Sequence, residues 1–231
     1  MVKPAAGLIA EQQDTGDLNQ TPSRLRFTAA SRLGESNARQ VAAIYESSFS
    51  AAEREPINQL LSDIVTKRRA CYLGKAGNLV VAFAVCLPLT HGIEFLEYFA
   101  VERHHRNQRI GTRLFRHMVT DIASRFRRGV IFEVEDPAMG TRTEAATRWA
   151  RIRFYQKLGA EVVACAPLYQ APPSRGNSPL HYLLMWMAIA QRAKVLNGPE
   201  LRRCVLNILV SAYGLSENDP LVQQVLSDLK C

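Results

Sequence analysis

The order of apolar segments between Ala70 and Glu135 restricts the fold more than any other feature of the sequence. The segment ACYLGKAGNLVVAFAVCLPL contains two strand-like runs joined by the tight turn GKAGN, which predicts an antiparallel hairpin. The strand-like segment GIEFLEYFAV follows, and then come an amphipathic helix from Ile110 to Phe126 and the strand VIFEVE. A hairpin requires antiparallel neighbours, whereas a helical crossover favours parallel ones. The sequence therefore predicts an α+β fold with a mixed central sheet flanked by helices.

Further elements are expected on both sides of this centre. A short strand in SRLRFTAA should precede two helices, one over Asn37–Phe49 and one starting near Pro56. A later helix, over about Glu144–Leu158, should end at Gly159. The segments AEVVACA and HYLLMWMAI have the composition of two last strands.

Composition divides the chain into three parts. Residues 1–23 are polar and aperiodic, which predicts a disordered tail. Residues 24–190 contain the strands and helices described above. Residues 191–231 contain two amphipathic segments, GPELRRCVLNILVSAYG and NDPLVQQVLSDL, which predict a C-terminal helical appendage packed on the main domain.

The formal net charge of +8 favours an anionic partner. Nucleic acid, a phosphorylated cofactor and an acidic carrier protein all carry suitable charge. Nucleic acid is the least favoured, because the arginines concentrate around one turn and no basic stripe with interleaved aromatics occurs.

Apolar runs and cysteines give the expected compartment. The longest apolar runs reach about half the length that spans a bilayer, and the first residues lack the pattern of a signal peptide. The chain has five cysteines, an odd number, and no two of them have the spacing of metal ligands. We therefore expect buried thiols in a reducing compartment. We therefore expect a cytoplasmic protein that binds neither a membrane nor a metal.

The segment RNQRIGTRLF, residues 106–115, joins a basic turn to the start of the long helix. A helix N-terminus presents unpaired N–H groups and about half a positive charge, which suits a diphosphate. Gly111 and Thr112 are small enough for an anion to approach the backbone, and Arg106 and Arg109 can add charge-assisted hydrogen bonds. A phosphate site is therefore expected at this turn.

The turn and the element order together resemble the GNAT N-acyltransferase superfamily. The family's pyrophosphate signature begins with Arg or Gln and has Gly at the fourth position and Gly or Ala at the sixth. The run RNQRIG at residues 106–111 resembles this signature. The segment RFYQKLGA, residues 153–160, resembles the family's aromatic pair before a Leu-Gly helix stop. The resemblance covers roughly residues 25–188 and leaves the C-terminal helices outside the common core.

One position departs from the signature, because Arg109 stands where the family has its first glycine. Arginine reaches a positive φ only at a cost. We therefore expect an ordinary backbone conformation at Arg109, with the side chain adding a phosphate contact. The alternative is that the substitution weakens cofactor binding.

The resemblance implies acetyl-CoA as the acyl donor. Phe99, Ala100 and Val101, in the strand before the turn, would then pair with the pantetheine arm through their backbone, and one N–H would polarise the thioester oxygen. The resemblance also implies cofactor contacts along the turn, from Arg106, Asn107, Gln108, Arg109, Ile110, Gly111 and Thr112.

Tyr155 stands where the family places its general acid, the group that protonates the departing thiolate. A positioned proton donor of this kind contributes ~10²–10⁴-fold to the rate. The structural alternative is that Tyr155 and Phe154 are core aromatics at a helix end.

An amine acceptor also requires a base. A lysine-like amine of pKa ~10.4 is only about one part in 10³ neutral at pH 7, a handicap of roughly 4 kcal/mol. Glu97 is the first candidate, because strict alternation along its strand would place it on the same face as Phe95 and Phe99. Pairing with a nearby arginine is the structural alternative for Glu97. Glu135, at the end of the following strand and beside the expected acceptor cleft, is the second candidate.

Other charged residues carry weaker signals. His104 and His105 are adjacent on a turn without the geometry of metal ligands, so they are expected to be solvated or to assist the phosphate site. Arg148, Arg151 and Arg153 recur along one helix, where many family members have Asn and small residues. They either contact the 3′-phosphate of CoA or an acidic substrate, or they form a solvated face.

Three functional hypotheses remain open at the level of sequence. The first is acetyl transfer from acetyl-CoA to a primary amine of a small molecule or peptide. The second keeps the fold but takes longer acyl groups from acyl-CoA or from an acyl carrier protein, which the basic surface would suit. The third is a non-catalytic module that binds CoA. The sequence does not identify the acceptor.

Overall fold

The computed structural model describes residues 25–30, 32–172, 179–189, 196 and 198–230. The strands are β1 (Leu25–Ala30), β2 (Ala70–Ala76), β3 (Leu79–Pro88), β4 (Ile93–Val101), β5 (Gly129–Glu135), β6 (Glu161–Val162), β7 (Gln170–Ala171) and β8 (Leu180–Ala188). The helices are α1 (Glu35–Ser48), α2 (Ile57–Val65), α3 (Ile110–Ser124), α4 (Arg142–Gln156), α5 (Gly198–Asn207) and α6 (Pro220–Ser227). The predicted tail, residues 1–23, lies outside the described residues.

The strands form one mixed sheet in the order β1-β2-β3-β4-β5-β8-β6, with β7 also paired to β8. The β4–β5 pair is parallel, and the other described pairs are antiparallel. The α3 crossover connects the two parallel strands, as the sequence predicts. This arrangement confirms the α+β class with a mixed sheet flanked by helices.

Local sequence explains where the two helices nearest the centre of the sheet form. In α3, Ile110, Leu114, Met118 and Ile122 recur every four residues and are buried. Helix α4 begins at a capping box, in which the Thr141 hydroxyl accepts a hydrogen bond from the N–H of Glu144, and the Glu144 carboxylate accepts one from the N–H of Thr141. Periodic burial therefore accounts for the packing of α3 on the sheet, and the capping box accounts for the start of α4.

Helices cover both faces of the sheet. The α3 and α4 residues pack with Leu96, Phe99 and Phe132 on one face. On the other face, α1 and α2 cover β2, β3 and the end of β4, and α5 and α6 cover the start of β4 together with β5 and β8. None of the helices in the described ranges combines the length and the apolarity needed to cross a membrane.

The C-terminal helices are joined to the sheet by polar contacts as well as by apolar packing. The buried carboxylate of Glu133 in β5 accepts hydrogen bonds from the hydroxyls of Tyr169 and Tyr213. Arg128, just before β5, pairs with Glu200 of α5 at 2.8 Å. The appendage predicted for residues 191–231 therefore shares a core with β5, although residues 190–195 lie outside the described part of the chain.

The predicted end of the long helix is wrong. The helix is expected to continue to Phe126, whose side chain is instead 95% exposed. Helix α3 ends at Ser124, because the N–H groups of Arg125 and Arg127 both donate to the carbonyl of Ile122 and close the last turn. Phe126 then adopts a φ of 57° and leaves the core.

Candidate active site

A wedge-shaped opening lies between the two parallel strands. The β4–β5 register runs only from Ile93↔Gly129 to Leu96↔Phe132. Beyond it, β4 continues to pair with β3 as far as Val101, and β5 continues to pair with β8 as far as Glu135. The two strands therefore separate at the centre of the sheet, and the edge of β4 that faces β5 becomes available to an extended ligand.

A β-bulge at Glu97 coincides with the start of this wedge. Val85 pairs with Tyr98, but the next residue of β3, Cys86, pairs with Leu96, so Glu97 is the additional residue in β4. Beyond the bulge, Phe99 packs on the α3 side of the sheet, whereas Phe95 packs on the opposite side. The predicted face shared by Phe95, Glu97 and Phe99 is therefore wrong, because the bulge interrupts the alternation.

A cavity of about 190 Å³ lies at the end of β4, at the basic turn. Its lining includes most of the residues expected to bind the cofactor, together with two others: Val101, His105, Arg106, Asn107, Arg109, Ile110, Gly111, Thr112 and Phe154. The amide of Gln108 instead donates a hydrogen bond to the carbonyl of His104 at 3.2 Å. The turn thus supplies a cavity with two arginines at a helix N-terminus, which suits a diphosphate.

Arg106 is fixed against the end of β4. Its Nε donates to the carbonyl of Val101 at 3.1 Å, and burial lowers the pKa of Arg106. Next to it, His105 Nδ1 lies 2.8 Å from a carboxylate oxygen of Glu102, which also accepts a hydrogen bond from the N–H of His104. The two histidines are therefore part of the turn, where His105 also lines the cavity.

The backbone of Arg109 differs from the expectation. It has φ 58° and ψ 13°, in the left-handed region, so the expected ordinary conformation is wrong. A left-handed residue followed by the right-handed first residue of a helix directs successive N–H groups into one concavity, which is a recurrent anion site. The turn therefore needs the conformation that glycine adopts most easily, and arginine adopts it at a cost of about 1–2 kcal/mol.

Tyr155 of α4 lies beneath the wedge, between the separating strands. Its ring centroid is 6.2 Å from that of Phe99 in β4 and 4.5 Å from that of Phe132 in β5. The side chain is buried, and no described residue hydrogen-bonds to its hydroxyl. Burial raises the pKa of Tyr155, and the charge of Arg151 opposes that rise.

Glu97 is fully buried and bound by an arginine that the sequence did not single out. Arg69 Nε lies 2.5 Å from one carboxylate oxygen of Glu97, and Arg69 Nη2 donates to the other at 3.1 Å. The same guanidinium contacts Asp63 at 2.6 Å and Glu55 at 3.1 Å. The arginine pairing considered as an alternative for Glu97 is therefore present, and the role of Glu97 as a base stays a prediction.

Glu135 lines a second cavity, of about 300 Å³, at the end of β5. Segments before α2, before α4 and around the start of β8 complete its wall, with the lining residues Ser50, Ala52, Glu53, Met139, Arg148, Pro179, Leu180, His181 and Tyr182. Glu135 forms ion pairs with Arg148, at 3.8 Å, and with Arg151. The expected position of Glu135 at the border of a cleft agrees with this geometry, and its role as a base stays a prediction.

The arginines of α4 separate into two environments. Arg148 and Arg151 face Glu135 and have side chains only 16% and 8% exposed, whereas Arg153 is exposed. Arg148 and Arg151 are three residues apart, and Tyr155 follows Arg151 by four residues. These three side chains therefore lie on one helical face. The spacing can be read from the sequence, but the proximity of the Glu135 carboxylate to these arginines cannot.

Residues 67–159 match a family model described as Acetyltransferase (GNAT) domain. The fold is similar to that of a protein from Bacteroides thetaiotaomicron described as a GNAT-family acetyltransferase, with a TM-score of 0.61, 20% identity, and coverage of 83% of this chain and 99% of that one. No curated protein sequence gives a significant match.

Two further solved structures share the fold. The ribosomal-protein-S18-alanine N-acetyltransferase from Escherichia coli has a TM-score of 0.54 and 18% identity, over 72% of this chain and 96% of that one. An aminoglycoside 6′-N-acetyltransferase complexed with coenzyme A has a TM-score of 0.58 and 17% identity, over 72% of this chain and 98% of that one.

The strained backbone at Arg109 leads to a stability prediction. Arg109→Gly should be more stable than Arg109→Ala by about 1 kcal/mol, because both remove the guanidinium but only glycine relieves the left-handed strain. Urea denaturation of the two variants measures the difference in the free energy of unfolding. Equal stability, or a less stable glycine variant, would contradict the strain.

Proposed function

Because this chain carries a GNAT acetyltransferase domain in a GNAT fold, we propose that it transfers the acetyl group of acetyl-CoA to a primary amine by direct attack. In this reaction the amine nitrogen forms a bond to the thioester carbon, the carbon–sulfur bond breaks, and CoA leaves as a thiol. The residues of the wedge bind the donor, provide an acid and provide a base, and the cavity beside Glu135 admits the acceptor.

The observation that carries the proposal is the continuity between the wedge and the phosphate turn. The β4 edge that β5 leaves after Leu96 leads directly to the cavity around Gly111. A pantetheine arm can therefore pair with the backbone of Phe99, Ala100 and Val101, while the diphosphate occupies the helix N-terminus. Together the strand edge and the turn accommodate the two chemically different parts of CoA.

Tyr155 is the proposed general acid. A tyrosine phenol is protonated near neutral pH, and the Tyr155 hydroxyl has no described protein partner that would compete for the proton. The ring is held between Phe99 and Phe132 at the wedge. Donation to the leaving sulfur would prevent the accumulation of a free thiolate.

A carboxylate is the proposed base, with Glu97 as the first candidate and Glu135 as the second. Three carboxylates converge on Arg69 at the bulge, and such a concentration of negative charge attracts the ammonium form of an acceptor. Glu97 would take the proton through a water, since its side chain is fully buried. Glu135 reaches an open cavity but lies between two guanidinium groups.

The acceptor is proposed to be an amine of a small molecule or peptide. Two of the similar structures are named as N-acetyltransferases of an aminoglycoside and of a ribosomal-protein alanine. A cavity of about 300 Å³ beside Glu135 is large enough for a small molecule or for the terminal residues of a peptide.

Binding of acetyl-CoA tests the proposal directly. Calorimetric titration should give micromolar affinity for the wild type and at least tenfold weaker binding, about 1.4 kcal/mol, for Thr112→Glu, because the added carboxylate opposes the diphosphate. Thr120→Glu is the matched control, since Thr120 is exposed two turns further along the same helix. Absence of binding by the wild type, or equal affinity of the two variants, would refute the cofactor site.

Tyr155→Phe separates catalysis from folding. Turnover should fall by ~10²-fold or more at unchanged acetyl-CoA affinity. The melting temperature should not decrease, because the change removes a buried hydroxyl without a described partner. Steady-state kinetics and thermal unfolding measure the two effects, and wild-type turnover in the variant would exclude Tyr155 as the acid.

The two candidate bases are distinguished by their pH–rate profiles. If Glu97 is the base, Glu97→Gln should reduce kcat/KM by about 10²-fold near pH 7. The loss should shrink as the pH approaches the pKa of the acceptor amine, ~10.4 for a lysine-like amine, because the neutral amine is then abundant. Glu135→Gln should then keep the wild-type profile shape. The reverse pattern would assign the base to Glu135, and two unaltered profiles would exclude both carboxylates.

A further inference from the structure

Two arginines of α4 lie beside Glu135: Arg148, which is largely buried and lines the cavity there, and Arg151, which is buried and is not part of its lining. The guanidinium groups of Arg148 and Arg151 approach the two oxygens of the Glu135 carboxylate from the same face of α4. Their side chains are 16% and 8% exposed, and that of Glu135 is 23% exposed. Two positive charges therefore share one carboxylate at a largely buried position.

The hydrogen-bonding capacity of these arginines is only partly used. Arg148 Nη1 donates to the carbonyl of Asp136 at 2.9 Å. The Nε groups of both Arg148 and Arg151 are buried and make no hydrogen bond within the described ranges, and that of Arg148 lies 3.8 Å from a carboxylate oxygen of Glu135. Buried donors on a charged group are costly to leave unsatisfied, and a carboxylate or phosphate oxygen is the acceptor that best fits an arginine fork.

The position of the pair connects it to the acceptor rather than to the donor. Arg148 lines the cavity beside Glu135, and this cavity has no lining residue in common with the cavity at the phosphate turn. Arg151 stands four residues before Tyr155 on the same helical face of α4 and contacts the other oxygen of the Glu135 carboxylate. Because the two cavities are separate, we attribute an anion at Arg148 and Arg151 to the acceptor rather than to the donor.

The cavity carries charges of both signs. Glu53 and Glu135 contribute carboxylates to its lining, and Arg148 contributes a guanidinium. A ligand with only an ammonium group would compete with the two arginines for the carboxylates and would give their buried Nε groups no acceptor. A ligand with an ammonium group and an anionic group satisfies both.

We propose that Arg148 and Arg151 form an anion subsite, and that the acceptor is an amine that also carries a carboxylate or a phosphate. This inference rests on the proposed transfer to an amine and adds the substrate class. The anionic group orients the acceptor along α4, so that its amine points towards the wedge.

Binding of inert product analogues tests the subsite without requiring turnover. The probes are N-acetyl amino acids, the corresponding N-acetyl amino acid amides, and N-acetyl-O-phosphoethanolamine, each added to the protein saturated with CoA. Thermal shift and calorimetry should detect binding of the carboxylate or the phosphate probe, and the neutral amides should bind at least about tenfold more weakly. The comparison of the two anionic probes identifies which group the subsite prefers.

Variants of α4 assign the binding to the proposed residues. Arg151→Gln and Arg148→Gln should each weaken the anionic probe at least about tenfold and leave the amide unaffected. Arg153→Gln is the matched control, because it removes the same charge from an exposed position of the same helix. If Arg151→Gln lowers the melting temperature, Arg148→Gln provides the test instead, because Arg148 is less buried.

Three results would overturn the inference. One is the absence of wild-type binding for every anionic probe, and a second is equal affinity in the Arg151→Gln, Arg148→Gln and Arg153→Gln variants. Efficient acetylation of amines that carry no anion, at the same kcat/KM as their anionic counterparts, would also refute the subsite while leaving the proposed acetyl transfer intact. Failure of acetyl-CoA to bind would instead refute the transfer itself.

Discussion

The separation of β4 from β5 is the feature on which the rest of the site depends. Parallel pairing ends at Leu96↔Phe132, and both strands continue with their outer neighbours, so the sheet stays intact while its centre opens. The bulge at Glu97 falls at the same level and increases the local twist of β4. Tyr155, packed between Phe99 and Phe132, occupies the space between the strands on the α4 side. An open edge thus forms in the interior of a sheet that is otherwise continuously paired.

Charge is distributed unevenly around this opening. Three carboxylates converge on Arg69 at the bulge, two guanidinium groups converge on Glu135 at the end of β5, and the helix N-terminus of α3 lies at the end of β4. In the proposed reaction each group suits a different part of the reactants: a cationic amine, an anionic substituent and a diphosphate. Because these clusters are buried or partly buried, their interactions are screened less by salt than those of surface charges.

The C-terminal helices contribute to the same strand that carries Glu135. Tyr213, which follows the π-helical turn Ile208–Ala212, donates to Glu133, two residues before the end of β5. Tyr169 donates to the other oxygen of the same carboxylate, so a buried charge receives hydrogen bonds from two separate segments. The C-terminal residues thereby stabilise the strand that borders the cavity beside Glu135.

The sequence by itself determined the features that depend on local periodicity and spacing. The hairpin, the α3 crossover, the basic turn around Gly111 and the position of Tyr155 on α4 all follow from short stretches of chain, and the structure agrees with their placement. Only the tertiary structure decided the left-handed backbone of Arg109, because neighbouring elements impose a conformation that arginine alone would avoid.

The tertiary structure also decided which groups face one another. The face of Glu97 depends on a one-residue shift between β3 and β4, and periodicity within one strand cannot reveal a mismatch with its neighbour. Glu97 meets Arg69 across 28 residues, and Glu133 meets Tyr213 across 80. Sequence spacing fixes partners within a helix turn or a hairpin, whereas such distant pairs are set by the packing of whole elements.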